Sequence, residues 1–136
     1  MKPQLPFAQS IRTSLSQEAA ISRATDLLKA EGFGILTEID VQATLKNKLG
    51  IERSPYRILG ACKPALAHAV LEVEPLVGVL LPCNVVVWDE GEQRVVAAME
   101  PLIMSRFIDD EKLAEAAGSV SASLKRVLAA LEGTSE

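Results

Sequence analysis

Two cysteines and one histidine, Cys62, Cys83 and His68, are the side chains of this chain best suited to chemistry. Thiolate and imidazole suit zinc and copper, and a Cys2His set would leave zinc one open coordination position. Cys62 also precedes Lys63 and Pro64, where a helix is expected to start, so the helix dipole and the lysine cation would both favour its thiolate. Against a metal stands the spacing. Five residues separate Cys62 from His68 and fourteen separate His68 from Cys83, a pattern with no recognised ligand specificity. Free cysteine also packs well as a small buried hydrophobe. His68 precedes Glu72 by four residues, so an exposed ion pair accounts for it more simply.

Glu38 and Asp40 stand two apart, which on a continuing strand points both carboxylates to one face, an arrangement suited to a metal or to proton transfer. The simpler account makes Asp40 a helix cap and leaves Glu38 at a strand end in water. Pro82 interrupts an apolar stretch and removes a ladder hydrogen bond, so it is expected at a sheet edge or a bulge, with Cys83 and Asn84 beside it. Glu38, Cys62, Pro82, Cys83 and Asn84 are therefore the candidate ligand-binding residues, and Cys62, His68 and Cys83 the candidate metal ligands. No phosphate loop, nucleophile elbow or catalytic triad is present in the sequence.

The elements that must position these residues follow from periodicity. Ser16 to Glu31 carries Ala20, Ile21, Ala24, Leu27 and Leu28 at helical spacing, with Gly32 to end the helix. Ahead of it, Leu5 to Thr13 is expected as an edge strand, weakened by Pro6. Phe33 to Ile39 reads as a strand, and Asp40 caps a short helix expected to bury Val41, Leu45 and Leu49 before Gly50. A strand over Tyr56 to Cys62 follows. Pro64 then opens a helix with Leu66, Ala67, Val70 and Leu71 on one face, stopped by Pro75. Val79 to Trp88 and Gln93 to Met99 flank an acidic turn containing Gly91 and are expected to form a hairpin. Asp110 to Glu132 is the longest predicted helix, with Leu113, Ala117, Val120, Leu124, Val127 and Leu131 in a narrow stripe and Gly118, Ser119, Ser121, Ala122 and Ser123 beside it as a possible cavity wall. Gly133 to Glu136 reads as a loose tail.

These elements make an α+β domain: a mostly antiparallel sheet of about five strands with a long C-terminal helix packed across it. The 136 residues are 49% hydrophobic and 24% charged, which supports one domain with its own core over residues 1–136 and excludes disorder. A net charge of -4 gives no general basic field, so nucleic acid is not an expected partner. The longest apolar run, Leu76 to Trp88, is too short to span a bilayer, and Met1 to Thr13 lacks a signal-peptide pattern; with only two cysteines, no membrane and a cytoplasmic location are expected.

Three blocks carry a family resemblance: Gly32-Phe33-Gly34-Ile35-Leu36-Thr37-Glu38-Ile39-Asp40-Val41, Tyr56-Arg57-Ile58-Leu59-Gly60-Ala61-Cys62, and Leu80-Leu81-Pro82-Cys83-Asn84-Val85. In this order they resemble the bacterial and archaeal family called domain of unknown function 302, from the first predicted helix to Met104. The resemblance implies a fold similar to that of the TATA-binding protein, with a curved sheet, and a homodimer. It implies no activity, since the family has none assigned, and leaves the cofactor unknown. One departure is Lys63, where a small polar residue such as Asn is expected; lysine cannot cap the helix that Pro64 begins.

Two functional classes follow. The first is a non-enzymatic binding or interaction module, a homodimer with a small apolar pocket whose rim includes Pro82, Cys83 and Asn84. The alternative is a thiol- or metal-dependent enzyme or sensor using Cys62, His68 and Cys83. An interaction surface at the acidic hairpin tip, Asp89 to Glu92, is a further form of the first.

Overall fold

The computed structural model describes residues 5–135. The chain runs β1 (Ala8–Thr13), α1 (Gln17–Ala30), β2 (Gly34–Asp40), α2 (Val41–Leu49), β3 (Tyr56–Cys62), α3 (Pro64–Val73), a 3-10 helix (Pro75–Leu80), β4 (Cys83–Glu90), β5 (Gln93–Met99), a second 3-10 helix (Pro101–Arg106) and α4 (Glu111–Leu131). The five strands form one antiparallel sheet in the order β1-β5-β4-β3-β2. The α+β architecture with a long C-terminal helix is therefore the fold, and every strand pair in it is antiparallel.

The core lies between the helices and one face of the sheet. Leu59 and Ala61 of β3, Val85 and Val87 of β4 and Val96 and Ala98 of β5 point to it, alternating with residues of the far face as strand geometry requires. Against them pack Ala20, Ala24 and Leu28 of α1, Leu66 and Val70 of α3, and the whole predicted stripe of α4 from Leu113 to Leu131. On the far face, Ile58, Val86 and Trp88 remain half-buried and Ile39 is exposed. Tyr56 and Trp88 stack there at 5.6 Å, with the Arg53 guanidinium 5.1 Å from the Tyr56 ring.

Local chemistry sets the boundaries. Ser16, Asp40 and Asp110 each accept a backbone hydrogen bond from the residue three positions on, at 3.2, 2.9 and 2.9 Å, which fixes the starts of α1, α2 and α4. Gly91 takes the positive φ, 64°, of a two-residue hairpin connection. Glu100 gathers three donors, the Leu102 amide, Gln9 Nε2 and Ser121 Oγ, and so ties β1, the second 3-10 helix and α4 together.

Four expectations need correction. The strand expected from Val79 starts at Cys83, because Pro75 to Leu80 coil into a 3-10 helix; Pro82 lies just before β4, after a cis peptide, and β4 is an interior strand without a bulge. The irregularity is instead in β2, between Ile35 and Thr37, where Leu36 is the extra residue. Helix α2 buries none of its residues: Val41 and Leu45 are half-buried and Leu49 is exposed. Gly133 and Thr134 are not loose, since the Gly133 amide donates to the Arg12 carbonyl at 3.0 Å and the Ser14 amide to the Thr134 carbonyl at 2.9 Å. Glu136 and Met1 to Gln4, which enter the tail and leader expectations, lie outside the described residues. None of the described helices is long and apolar enough to cross a membrane.

Candidate functional site

Where β3 ends, β4 begins and α3 starts, the packing leaves a groove of about 320 Å³. Its floor is Ala61 and Cys83, paired across β3 and β4 and both facing the core. Leu66, Ala67 and Leu71 of α3 form one wall, and Gly78, Leu81 and Pro82 the other. Leu36, the bulged residue of β2, closes the open side, while Cys62 and Lys63 stand at the turn into α3. The bulge is what makes Leu36 available: without the extra residue, strict alternation would continue through Thr37. Thr37 and Pro82 also crowd Gly60, on the far face; a Cβ there would lie 3.0 Å from Pro82 Cγ and closer still to Thr37 Oγ1. Only glycine lets them approach so closely.

Three of the five candidate ligand-binding residues, Cys62, Pro82 and Cys83, meet in this groove. The other two do not. Asn84 alternates onto the far face, opposite Gly60, and is exposed. Glu38 is held by Arg57, whose guanidinium bonds it at 2.7 Å and also reaches Asp40 at 3.4 Å and Glu18 at 3.3 Å. Those carboxylates, Glu38 foremost by its hydrogen bond, hold the Arg57 pKa above its ordinary value. Asp40 meanwhile caps α2, the simpler of its two sequence readings.

The candidate metal set does not assemble. His68 lies on another side of α3, exposed beside Glu72 and lining a wide depression with Asp109, Asp110 and Glu111. Helical phase within α3 turns it away from the groove-lining Leu66, Ala67 and Leu71. Among the described residues no three His, Cys, Asp or Glu side chains come together to hold a metal ion. Nor does the register present the two cysteines as a pair. Cys83 is opposite Ala61 and not Cys62, which ends β3 at the rim of the same groove, near enough for its charge to act on Cys83. Burial foremost, with the Cys62 thiol adding to it, pushes the Cys83 thiol up to about 11. Cys83 is thus a neutral thiol in the groove floor, 2% exposed. The acidic hairpin tip is also largely spoken for: Asp89 pairs with Arg94 at 3.4 Å and Glu90 with Arg12 at 2.6 Å.

Residues outside the sequence candidates complete the groove: Leu36, Ala61 and Lys63, the α3 residues Leu66, Ala67 and Leu71, and Gly78 and Leu81. The consecutive apolar pair Ile35-Leu36 was the available signal for the bulge, since two neighbours on a strand cannot both face one core. As expected from its type, Lys63 makes no side-chain capping bond to α3. Its ammonium lies 5.7 Å from the centroid of the Phe33 ring.

A five-stranded antiparallel sheet backed by helices, with an apolar groove at the β3 to α3 turn, defines the class as a small α+β domain. Residues 9–131 match the family model described as domain of unknown function DUF302, and the chain belongs to that family. It is similar throughout to the crystal structure of an uncharacterized conserved protein DUF302 from Bacillus stearothermophilus, with 30% identity and a TM-score of 0.85 over 94% of this chain and 100% of that one. None of the curated proteins matches the chain.

Proposed function

We propose that this protein is a non-enzymatic binding module, working as a homodimer, that takes a small apolar ligand in the groove between α3, the Pro75–Leu80 helix and the β2 bulge. The observation that carries this reading is the groove's composition. Of its eleven lining residues only Lys63 is charged, so an apolar ligand there would shed water against matching walls. Its volume, about 320 Å³, is at the small end of the roughly 300–1,000 Å³ typical of ligand pockets. The catalytic alternative has less to support it, because Cys83 is buried and neutral and His68 is elsewhere. For the homodimer, the support is the far face of the sheet, where Ile39, Ile58, Val86 and Trp88 stay accessible.

Titration with the uncharged apolar reporter dye N-phenyl-1-naphthylamine tests the groove. The expected result is saturable binding at one site per chain, lost in Ala67→Phe, whose ring would fill the groove while circular dichroism stays native. Binding that survives Ala67→Phe in a folded protein would remove the groove from consideration. Sedimentation equilibrium tests the dimer: a monomer at micromolar concentration overturns that part.

A further inference from the structure

We propose that two copies of this chain join edge to edge through β1, antiparallel about a two-fold axis at Ser10, so that their sheets become one continuous sheet. This rests on the homodimer reading above and names the surface through which the dimer forms.

The sheet has two edge strands, β1 and β2, and they are built differently. β2 is interrupted by the bulge at Leu36, a common device for blunting an edge against further pairing. β1 has no such device: its six residues, Ala8–Thr13, hold an unbroken register with β5 and include neither proline nor lysine. Along an antiparallel strand, alternate residues turn their backbone groups to one neighbour and then to the other side. The Glu100 amide donates to the Phe7 carbonyl, which sets the phase: Phe7, Gln9, Ile11 and Thr13 bond toward β5, while Ala8, Ser10 and Arg12 turn outward. Two of the outward groups are used within the chain, since the Ala8 amide donates to the Leu5 carbonyl and the Arg12 carbonyl accepts from the Gly133 amide. The Ala8 carbonyl, both groups of Ser10 and the Arg12 amide have no backbone partner among the described residues.

These four groups are complementary to themselves. With Ser10 opposite the partner's Ser10, each Ser10 amide donates to the other's carbonyl and each Arg12 amide to the Ala8 carbonyl across from it, so every free donor meets a free acceptor. The two outward groups that this register does not use are the two already bonded within the chain. The tail that reaches the Arg12 carbonyl comes from the core side, where Thr13 Oγ1 donates to the Thr134 carbonyl at 2.9 Å, and Ser10 stays exposed. An apolar far face favours association, but it matches no donor to an acceptor and so fixes no register.

Charge points to the same occupant. The depression beside this edge is walled by one stripe of α4, Lys125, Leu128, Ala129 and Glu132. Helix α4 runs beside β1 in the same direction, from Ser121, joined to Gln9 through Glu100, to Gly133 at Arg12. A two-fold axis at Ser10 therefore sets the two stripes antiparallel, with Lys125 toward the partner's Glu132 and Leu128 and Ala129 between the two charges. Neither Lys125 nor Glu132 has an ion-pair partner among the described residues. Leu5 and Phe7, 55% and 54% exposed where the chain enters β1, lie at the ends of the same seam.

Sedimentation equilibrium of the full chain and its variants tests the seam. Ser10→Pro removes an outward amide and no bond to β5, so circular dichroism should stay native while the dissociation constant of the dimer rises at least tenfold. Lys125→Glu should raise it about threefold to tenfold, and adding Glu132→Lys should restore it. Register is read by cross-linking with oxidised glutathione in a Cys62→Ser background. Ser10→Cys should give a disulfide-linked dimer, because residues of a hydrogen-bonded pair face each other with Cα atoms about 5.5 Å apart, within disulfide reach. Ala8→Cys, displaced from its symmetry mate by about 13 Å along the strands, should not. A dimer that keeps its affinity in Ser10→Pro and does not cross-link through Ser10→Cys, yet dissociates in Ile39→Lys, would overturn the edge and move the interface to the far face. If Ser10→Pro does not fold, the charge exchange and the cross-link decide, and failure of both overturns the edge. A natural chain that is monomeric at micromolar concentration would instead overturn the homodimer reading itself.

Discussion

Helices α3 and α4 lie over the same sheet, yet the space beside α3 is an apolar groove, whereas the depression between α4 and β1 is edged by Gln9, Ser10, Glu100, Lys125 and Glu132. The 21-residue α4 buries nine residues, and several of its small residues are used up in contacts: Ser121 donates to Glu100 at 3.0 Å, Ser123 accepts from Arg126 at 3.0 Å, and a Cβ on Gly118 would already meet Leu102 Cδ2 at 3.9 Å. Of the small-residue flank that the sequence offers as a cavity wall, Ser121 and Ser123 are closely packed, while Ser119 and Ala122 are exposed. The 10-residue α3 buries only Leu66 and Val70, starts without a cap and stops before Pro75. Its outer side meets a 3-10 helix, whose Gly78 has no side chain to fill the gap, and a bulged strand. Close packing is the default of an interior, so apolar space persists where short, irregular elements meet, while the stripe of a long helix closes against its sheet and leaves only polar-edged space at its margin.

Truncating one leucine on each side of this contrast is the most direct way to break it. Leu124→Ala, in the closed α4 seam and 1% exposed, is expected to destabilise the protein by about 2–5 kcal/mol in urea denaturation. Leu36→Ala, 66% exposed on the groove, should change stability by no more than about 0.5 kcal/mol and weaken dye binding instead. A costly Leu36→Ala would mean that the groove rim is structural, and the contrast between the two helices would fail.

A second prediction uses the groove floor. The Cys83 thiol titrates from an ordinary 9.0 when unfolded to about 11 when folded. Its contribution is fully present below pH 9 and is lost as pH rises through the folded value, because the unfolded chain gives up the proton first. Stability should fall between pH 9 and 11 by on the order of 2 kcal/mol more in the natural protein than in Cys83→Ala. Iodoacetamide at pH 8 should correspondingly alkylate Cys62 and spare Cys83, read by peptide mass; equal labelling would place Cys83 in solvent.

Capping sharpens the contrast on a smaller scale. Asp110→Ala removes the 2.9 Å bond to the Leu113 amide and should cost about 1 kcal/mol. Lys63→Ala removes no capping bond, and its cost is confined to the contact with the Phe33 ring, about 0.5–1 kcal/mol. If thermal melts ranked the two the other way, Lys63 would be holding the start of α3 by some means other than its stem.

How far the sequence could be read follows the same division. The α4 stripe was legible because spacings of four and three have no other explanation, and β3 because Ser54-Pro55 and Pro64 bracket it. The stretch Leu76 to Leu81 was not, since an unbroken apolar run carries no period, and Gly78 between two prolines was the only sign of coiling. Cys62, Pro82 and Cys83 stand out in the sequence for their chemistry and share a groove for a different reason, the meeting of strand ends. Glu38 and Asn84 were misplaced because their surroundings depend on strand register: Asn84 opposes Gly60 on the far face, and Glu38 answers to Arg57 on the neighbouring strand. His68 was misplaced by helical phase, which sets the side a residue faces but not what packs there.

The smallest effect tests whether the α4 seam is closed by packing or by charge. Arg126 of α4 reaches Glu31 at the end of α1 through two bonds, and that hydrogen bonding, before any other cause, holds the Glu31 pKa below its ordinary 4.5. A depressed folded value means stability present above the unfolded pKa and lost as pH falls through the folded one. The pair is at the surface, so its contribution should be small and should disappear in about 1 M salt, where the screening length is about 3 Å. Arg126→Gln is expected to lower the melting temperature slightly at pH 7 and not at pH 3. An equal drop at both pH values would assign the loss to the apolar stem of Arg126, and the seam would then be closed by packing up to its last turn.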